Sequence, residues 1–567
     1  MYIRTCAVAA SLVFAAACGT APTPAATTAP AADLVILNGK VQTMDDADSV
    51  AEAVAIRGTT ILKTGTTAEI QALAGAATRV IDAKGGTVAP GFNDSHVHFL
   101  SGGLSLGDVD LAGLGTLPQV QDKIRAFVAT KPAGAWVMGR GWLYTPFANG
   151  SPTRAQLDAV TGDHPAVMHC YDGHSVWVNS AVLKLAGITR ATKDPVNGAI
   201  VRDPKTGEPT GHLKESASAL IASVLPKVTD EDRRAAIAGA VVEAHRFGVT
   251  SVQNAGTSLE EMALYDQARK AGALTVRTYL ATSGRPGVTA ADLDKMDAAR
   301  THYGDDPTLR TGIVKMFADG VIESKTAAML APYVGTKSAG VPNMMPAELN
   351  RMVALFDQRG WQIEIHAIGD RAIRMSLDAF EKAAAANPAP ARGRRHRIEH
   401  IEAVSASDIA RFGALGVIAS QQPIHAALGD VNQLVPKGPW PDAIGPERAS
   451  RAWAWKSIQA GGARLTFGSD WPVAPLEAGQ GIWLASTRIK AENAADQRLS
   501  IGEAIAGYTK WAAYASFDEA RKGTLAPGML ADVVVLTSDL AAAPISGPTG
   551  VGVAVTIFDG KVVYEKK

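Results

Sequence analysis

Past Asp33 the chain sets short runs of mostly apolar residues between small turns, at residues 34–37, 40–43, 53–56, 60–63 and 80–82. Asn38-Gly39, Arg57-Gly58 and Lys84-Gly-Gly86 supply the turns, so this texture predicts strands. The same texture returns near the end, at residues 531–536, 554–558 and 561–564. Neither half hides an apolar face alone, so the two ends are expected to build one small sheet module from residues 33–87 and 521–567.

Between them strands alternate with Ala-rich helical stretches. The strands fall at the segment ending in His96 and His98, at 249–253, 276–280, the segment around Lys315, the segments ending in His366 and His400, 416–420 and 464–467. Helices fit between them, for example at 230–246, 346–358 and 372–386. Eight βα units predict an α/β protein with a TIM-type (β/α)8 barrel over residues 88–520. The stretch from His98 to Val249 is far too long for one crossover, so it must carry an insertion, about 135–230, with strands of its own at 136–138, 166–169 and 175–178.

The 567 residues, 47% hydrophobic, suit a large barrel with an attached module. Basic and acidic residues balance at 55 each, and there is no dense Lys/Arg run, so a nucleic-acid partner is not expected. The first eighteen residues differ from the rest. Arg4 precedes a short apolar run that ends at small residues, the pattern of a bacterial export signal. Ala15-Ala-Ala-Cys18 resembles a lipobox, with Ala15 where Leu is usual, and residues 19–32 form a Pro/Thr/Ala linker. The expectation is an exported protein, periplasmic or anchored to the outer membrane through a lipid on Cys18; simple secretion with cleavage near Ala17 is the alternative. After loss of Cys6 with the signal only Cys170 remains in the folded body, so no internal disulfide forms. The sequence is compatible with a homo-oligomer.

The candidate chemistry sits at the strand ends. In a parallel barrel these converge on one rim, so residues far apart in sequence meet there. His96 and His98 are two apart on a strand and point the same way, as a pair of ligands requires. His366 and His400 each close a strand, and Asp470 follows the turn Gly468-Ser469. Imidazole suits zinc and neighbouring ions. Asp470 is suited both to bind metal and to take a proton from metal-bound water, whose pKa the metal lowers to about 7. Lys315 is the odd member: an ammonium is a poor ligand. Either CO2 converts it to a carbamate that bridges two metals, or it reaches the rim or pairs with Asp319.

Several stretches together resemble the amidohydrolase superfamily, in the family 3 branch that includes N-substituted formamide deformylase-like proteins. They are Ala89-Pro-Gly-Phe-Asn-Asp-Ser-His-Val-His98, Asp172-Gly-His-Ser-Val-Trp-Val-Asn-Ser180, Gly211-His-Leu-Lys-Glu215, Val314-Lys-Met-Phe-Ala-Asp-Gly320, Ile365-His-Ala-Ile-Gly-Asp-Arg-Ala372, Arg397-Ile-Glu-His400 and Gly468-Ser-Asp-Trp-Pro472. Residues 523–536 match the family's return to the sheet module. The resemblance implies a distorted barrel, a composite β-sandwich from both termini, and one or two divalent ions, usually zinc. It implies that His96, His98 and Asp470 bind the more buried metal, His366 and His400 the second, with a carbamate on Lys315 between them. In one related branch a Cys or Glu bridges, which makes Cys170 and Glu215 the fallback. His174 is implied as a substrate or oxyanion contact, with a hydrogen bond that fixes its loop as the alternative. Gln422, His425, Trp142 and Trp471 fall where rim loops line a pocket. Asn254 stands where the family has Asp, at a position expected to support the rim.

The expected function is hydrolysis of an amide or related C–N bond of a small molecule by a metal-bound hydroxide, with Asp470 passing the proton to the leaving nitrogen. Ester or lactone hydrolysis is the alternative. A tethered binding protein that kept the barrel and lost turnover is the competing class; against it, every ligand position is still filled by a competent residue.

Overall fold

The protein, seen in a computed structural model, is described at Met1 and at residues 31–427, 439–488, 494–542 and 550–567. The export signal, Cys18 and all but the last residues of the linker lie outside the described residues. Among the described residues no helix is long and apolar enough to cross a membrane.

The fold is mixed α/β. An eight-stranded parallel sheet curls into a nearly closed barrel. Its strands are β1 (Phe92–Val97), β2 (Val249–Thr257), β3 (Arg277–Ser283), β4 (Leu309–Phe317), β5 (Gln362–Ala367), β6 (Arg397–His400), β7 (Ile418–Gln421) and β8 (Leu465–Phe467). They run side by side in chain order, and an isolated bridge, Val97 to Trp471, joins the end of β1 to the segment after β8. Helices pack outside; Asp230–Arg246 starts at a reciprocal Thr229/Asp232 cap, an arrangement that stabilises a helix start by about 1 kcal/mol. The core between helices and barrel is one large cluster that takes in Val252, Val314, Ile365, Leu377 and Trp455.

Both chain ends together build two further sheets. A four-stranded sheet uses Thr60–Gly65, Ala53–Arg57, Ala32–Leu37 and Ala74–Asp82. A six-stranded sheet joins Lys561–Glu565, Val553–Phe558 and Val533–Leu536 to Thr87–Pro90, Lys40–Gln42 and Val50–Ala51. The two sheets share one apolar cluster with Ile36, Ile56, Val88, Val535 and Ile557. Arg277 at the start of β3 ties the barrel to this layer, its guanidinium 2.6 Å from Asp532.

The insertion after β1 forms its own six-stranded sheet, beginning at Val109–Asp110 and ending at Pro209–Glu215. Two apolar clusters hold it, one around Trp142, Phe147 and Trp177 and the other around Val176, Ile200 and Leu213. This sheet stands over the rim where the strands end, which makes the rim the floor of a cavity.

Candidate active site

The floor is built where β1 meets the segment after β8. Asp470 N–H donates to the His96 carbonyl at 2.7 Å, and His98 N–H donates to the Trp471 carbonyl at 2.7 Å. These bonds extend the ladder past β8 and carry the Asp470 side chain between the two imidazoles. Asp470 Oδ1 lies 3.2 Å from His98 Nε2 and 3.5 Å from His96 Nε2, yet this buried oxygen has no aligned hydrogen bond. Gly468 permits the approach: a Cβ there would sit 2.6 Å from His96 N.

His400 reaches the same floor by breaking its strand. Its φ is +73°, followed by +54° at Ile401, and Asp470 has φ +63°. Left-handed backbone at residues with a Cβ costs about 1–3 kcal/mol and recurs at functional sites. The His400 ring lies 4.9 Å from that of His96 and 4.4 Å from that of His366. Its Nδ1 is 2.9 Å from Gln422 Oε1 and 3.8 Å from Asp470 Oδ2. His366 places Nε2 3.2 Å from the Gly320 carbonyl. Asp319 locks the neighbouring loops by accepting from the N–H groups of Ile368, Gly369 and Ala328 at 2.8–3.0 Å.

Buried charges below the floor set its electrostatics. His96 Nδ1 lies 2.6 Å from Glu399 Oε2, so the Nδ1 proton points at the carboxylate and the Nε2 lone pair turns to the floor. Arg397 balances the acids, with Nε 3.0 Å from Glu399 and a guanidinium bond to Glu364. Lys315 ends this column at 2% exposure, its Nζ 3.2 Å from His96 Nε2. Burial pulls the lysine amine below its usual range and holds the rings of His96, His366 and His400 well below theirs. Neutral rings are the ligand form of histidine. Burial opposes ionisation of Asp470, but the imidazoles of His96 and His98 outweigh it and hold the carboxyl low.

This donor set fits a divalent ion. His96, His400 and Asp470 each offer a ligand atom, and those atoms all lie within 4.8 Å of one another. Two of them, His96 Nε2, met only by the Lys315 amine at 3.2 Å, and the bare Oδ1 of Asp470, lie 3.5 Å apart, a pair that a cation would join.

Above the floor lies a cavity of about 700 Å³, within the range of small-molecule sites. Lys315, His366, His400 and Asp470 form its base; Leu104, Met138, Leu225 and Phe317 are among its apolar walls. Insertion residues close the far side, including Tyr171, Asp172 and His174. His174 Nδ1 lies 2.9 Å from Glu215 Oε2. Burial works against charging this ring, but Glu215 and then Asp172 outweigh it and lift its pKa to about 9.

The six expected metal ligands therefore converge on one floor, with His400 between His96 and His366. Lys315 reaches the rim, where it lines the cavity base while buried; it does not pair with Asp319, whose oxygens are taken by backbone N–H groups. His425 lines the cavity, 4.0 Å from Asp470 Oδ2.

Three expected pocket residues do not line it. Trp142 is fully buried in the insertion, packed on Phe147 and His212, with its indole N–H donating to Met168. Trp471 packs against Phe99 and Gly102 behind the floor. Gln422 is buried against His400 and acts through that ring. Cys170 lines the cavity, but its thiol donates to the Trp142 carbonyl and burial pushes its pKa up, which leaves it a thiol. Glu215 has both oxygens committed elsewhere, which removes it as a bridging ligand. Asn254 supports the rim as expected, its Oδ1 accepting from Phe99 N–H at 2.6 Å.

Sequence reasoning missed Glu364, Glu399 and Arg397 as a buried layer under the ligands. The signal was present in the alternation Gln362-x-Glu364-x-His366, where residues two apart share a face.

Comparison with known proteins adds the following. Residues 79–564 match the amidohydrolase family. The chain is 33% identical to Protein LONG AFTER FAR-RED 3 of Arabidopsis thaliana, over 94% of this chain and 92% of that one. It is 28% identical to an N-substituted formamide deformylase of Arthrobacter pascens, over 94% of this chain and 98% of that one. Among solved structures it resembles an uncharacterized metal-dependent hydrolase from Pyrococcus furiosus, with TM-score 0.67 and 25% identity over 90% of this chain and 99% of that one.

Proposed function

The chain belongs to the amidohydrolase family, and from that premise we propose that it hydrolyses an amide or related C–N bond of a small molecule on the barrel rim. Metal-dependent hydrolysis in the broad sense follows from the family and its structural neighbours. The likeness to a formamide deformylase supports the choice of an amide. The observation that carries the reading is Asp470, which stands at the cavity floor with an uncommitted oxygen between two imidazoles.

His96, His98, His400 and Asp470 would hold a divalent ion, zinc being favoured by the imidazoles, and His366 with Lys315 would hold a second. Bound there, the metal supplies Lewis acidity and makes water nucleophilic at neutral pH. The chain does the rest. Glu399 keeps the proton of His96 on Nδ1 and so keeps Nε2 unprotonated. Asp470, ionised at neutral pH, accepts the proton of the attacking water and returns it to the leaving nitrogen. The apolar walls and the insertion restrict bulk water at the reacting bond. In this reading Lys315 gives up its bond to His96 Nε2, and conversion to a carbamate would turn that donor into an acceptor.

A panel of N-acyl amines and matched esters, assayed with and without chelator and with metal added back, tests the reading. Amide cleavage that is lost to chelator and absent from Asp470→Asn supports it. Full activity in Asp470→Asn would overturn the role of Asp470. Esters cleaved and amides untouched would overturn the bond type.

A further inference from the structure

Glu215 is the last residue of an insertion strand, and its φ of +51° is a conformation that residues with a Cβ adopt at a cost. That backbone turns its side chain back onto His174. The contact has two points: Glu215 N–H donates to the His174 carbonyl at 2.8 Å, and Glu215 Oε2 meets His174 Nδ1 at 2.9 Å. A third bond, from His174 N–H to Asp172 at 2.9 Å, fixes the other side of the residue. With Nδ1 committed, the ring's remaining polar atom is Nε2, and His174 lines the cavity with its ring centre 5.5 Å from that of His366.

The other carboxylate oxygen is anchored across the domain boundary. Thr326 and Ser324, in the loop after β4, both donate to Glu215 Oε1, the serine at 3.4 Å. Room for this comes from Gly320, where a Cβ would lie 2.2 Å from Thr326 Oγ1 and 2.9 Å from Glu215 Oε1. Gly320 is also the residue whose carbonyl meets His366 Nε2. One carboxylate thus joins the insertion, the barrel loop and the imidazole.

We propose that Glu215 is a positioning residue that holds His174 with Nε2 presented to the substrate over the metal-ligand cluster. The proposal rests on the hydrolase reading for what Nε2 contacts, and on the hydrogen bonds alone for how the ring is held. A carboxylate on Nδ1 fixes the orientation of the ring and keeps a proton on that nitrogen.

The test compares the full-length, metal-loaded protein with Glu215→Gln and Thr326→Val, reading kinetics, metal content, melting temperature and the ¹⁵N spectrum of the His174 ring. Glu215→Gln is expected to lower kcat about 10- to 100-fold, the cost of a mispositioned group, with little change in KM or metal content. Its Nδ1 resonance should move, and Thr326→Val should shift both readouts in the same direction by less. An unchanged ring spectrum with wild-type kcat in Glu215→Gln would overturn the proposal. So would loss of metal in Glu215→Gln, which would make the carboxylate a ligand. If the wild type cleaves no amide, the hydrolase reading fails on its own, and the ring spectrum still decides whether Glu215 holds His174.

Discussion

Replacing Glu399 by Gln removes one charge from the column under the floor while keeping its shape and one acceptor oxygen. Glu399 Oε2 holds His96 Nδ1 at 2.6 Å, and its other oxygen lies 3.0 Å from Arg397 Nε, both groups being fully buried. A neutral amide accepts more weakly than a carboxylate, so His96 becomes a poorer ligand and its ring less firmly oriented. Loss of such a partner costs roughly 10- to 100-fold in metal affinity, or about 1.4–2.7 kcal/mol. Arg397 keeps Glu364, so the guanidinium is not stranded and the stability cost should fall below the roughly 3–5 kcal/mol of a broken buried pair. The assay is competition of the demetallated protein with a chromophoric zinc chelator, with thermal melting to establish that the variant is folded. Wild-type zinc affinity in a folded Glu399→Gln protein would refute the idea that this carboxylate tunes His96.

Three further outcomes are expected. Gln422→Ala removes the partner of His400 Nδ1, and should weaken zinc binding about tenfold while leaving the order of preferred substrates as in wild type; a reordered preference would restore Gln422 to the pocket wall. Trp142→Ala should cost roughly 3–5 kcal/mol in chemical unfolding, because the indole fills the insertion core rather than touching substrate; an effect on KM without one on stability would contradict that placement. Burial holds the His96 and His400 rings well below the usual imidazole range, so protons compete with metal only below that range, and zinc should be retained on dialysis at a pH where free imidazole is already protonated; loss of zinc in step with the titration of free imidazole would contradict this.

Much of the barrel was legible because its strands are short β-rich runs, several with a polar residue at or near the end, and the helices over 230–246 and 346–358 match Asp230–Arg246 and Pro346–Gln358. The convergence of His96, His98, His366, His400, Lys315 and Asp470 was equally readable, since parallel strand ends must share a rim. What alternation could not give was His400. Glu399 faces inward to His96, so a regular strand would turn His400 outward, and only the left-handed backbone at His400 and Ile401 brings it in. The buried charges were missed for a related reason: Glu364 and Glu399 pair with Arg397 inside the barrel, and a reading that sends charges to solvent has no place for them. Trp142 was placed at the rim because the insertion's own core was invisible; its first strand, Val109–Asp110, is two residues long and carries no periodicity.

Elemental analysis of the full-length chain, purified without chelator, alongside Asp470→Asn and His96→Ala, tests the central claim most directly. The account predicts at least one divalent ion per wild-type chain, lost from His96→Ala and reduced in Asp470→Asn, with all three proteins folded. A folded wild-type protein that takes up no zinc or manganese, even with bicarbonate present, would contradict it.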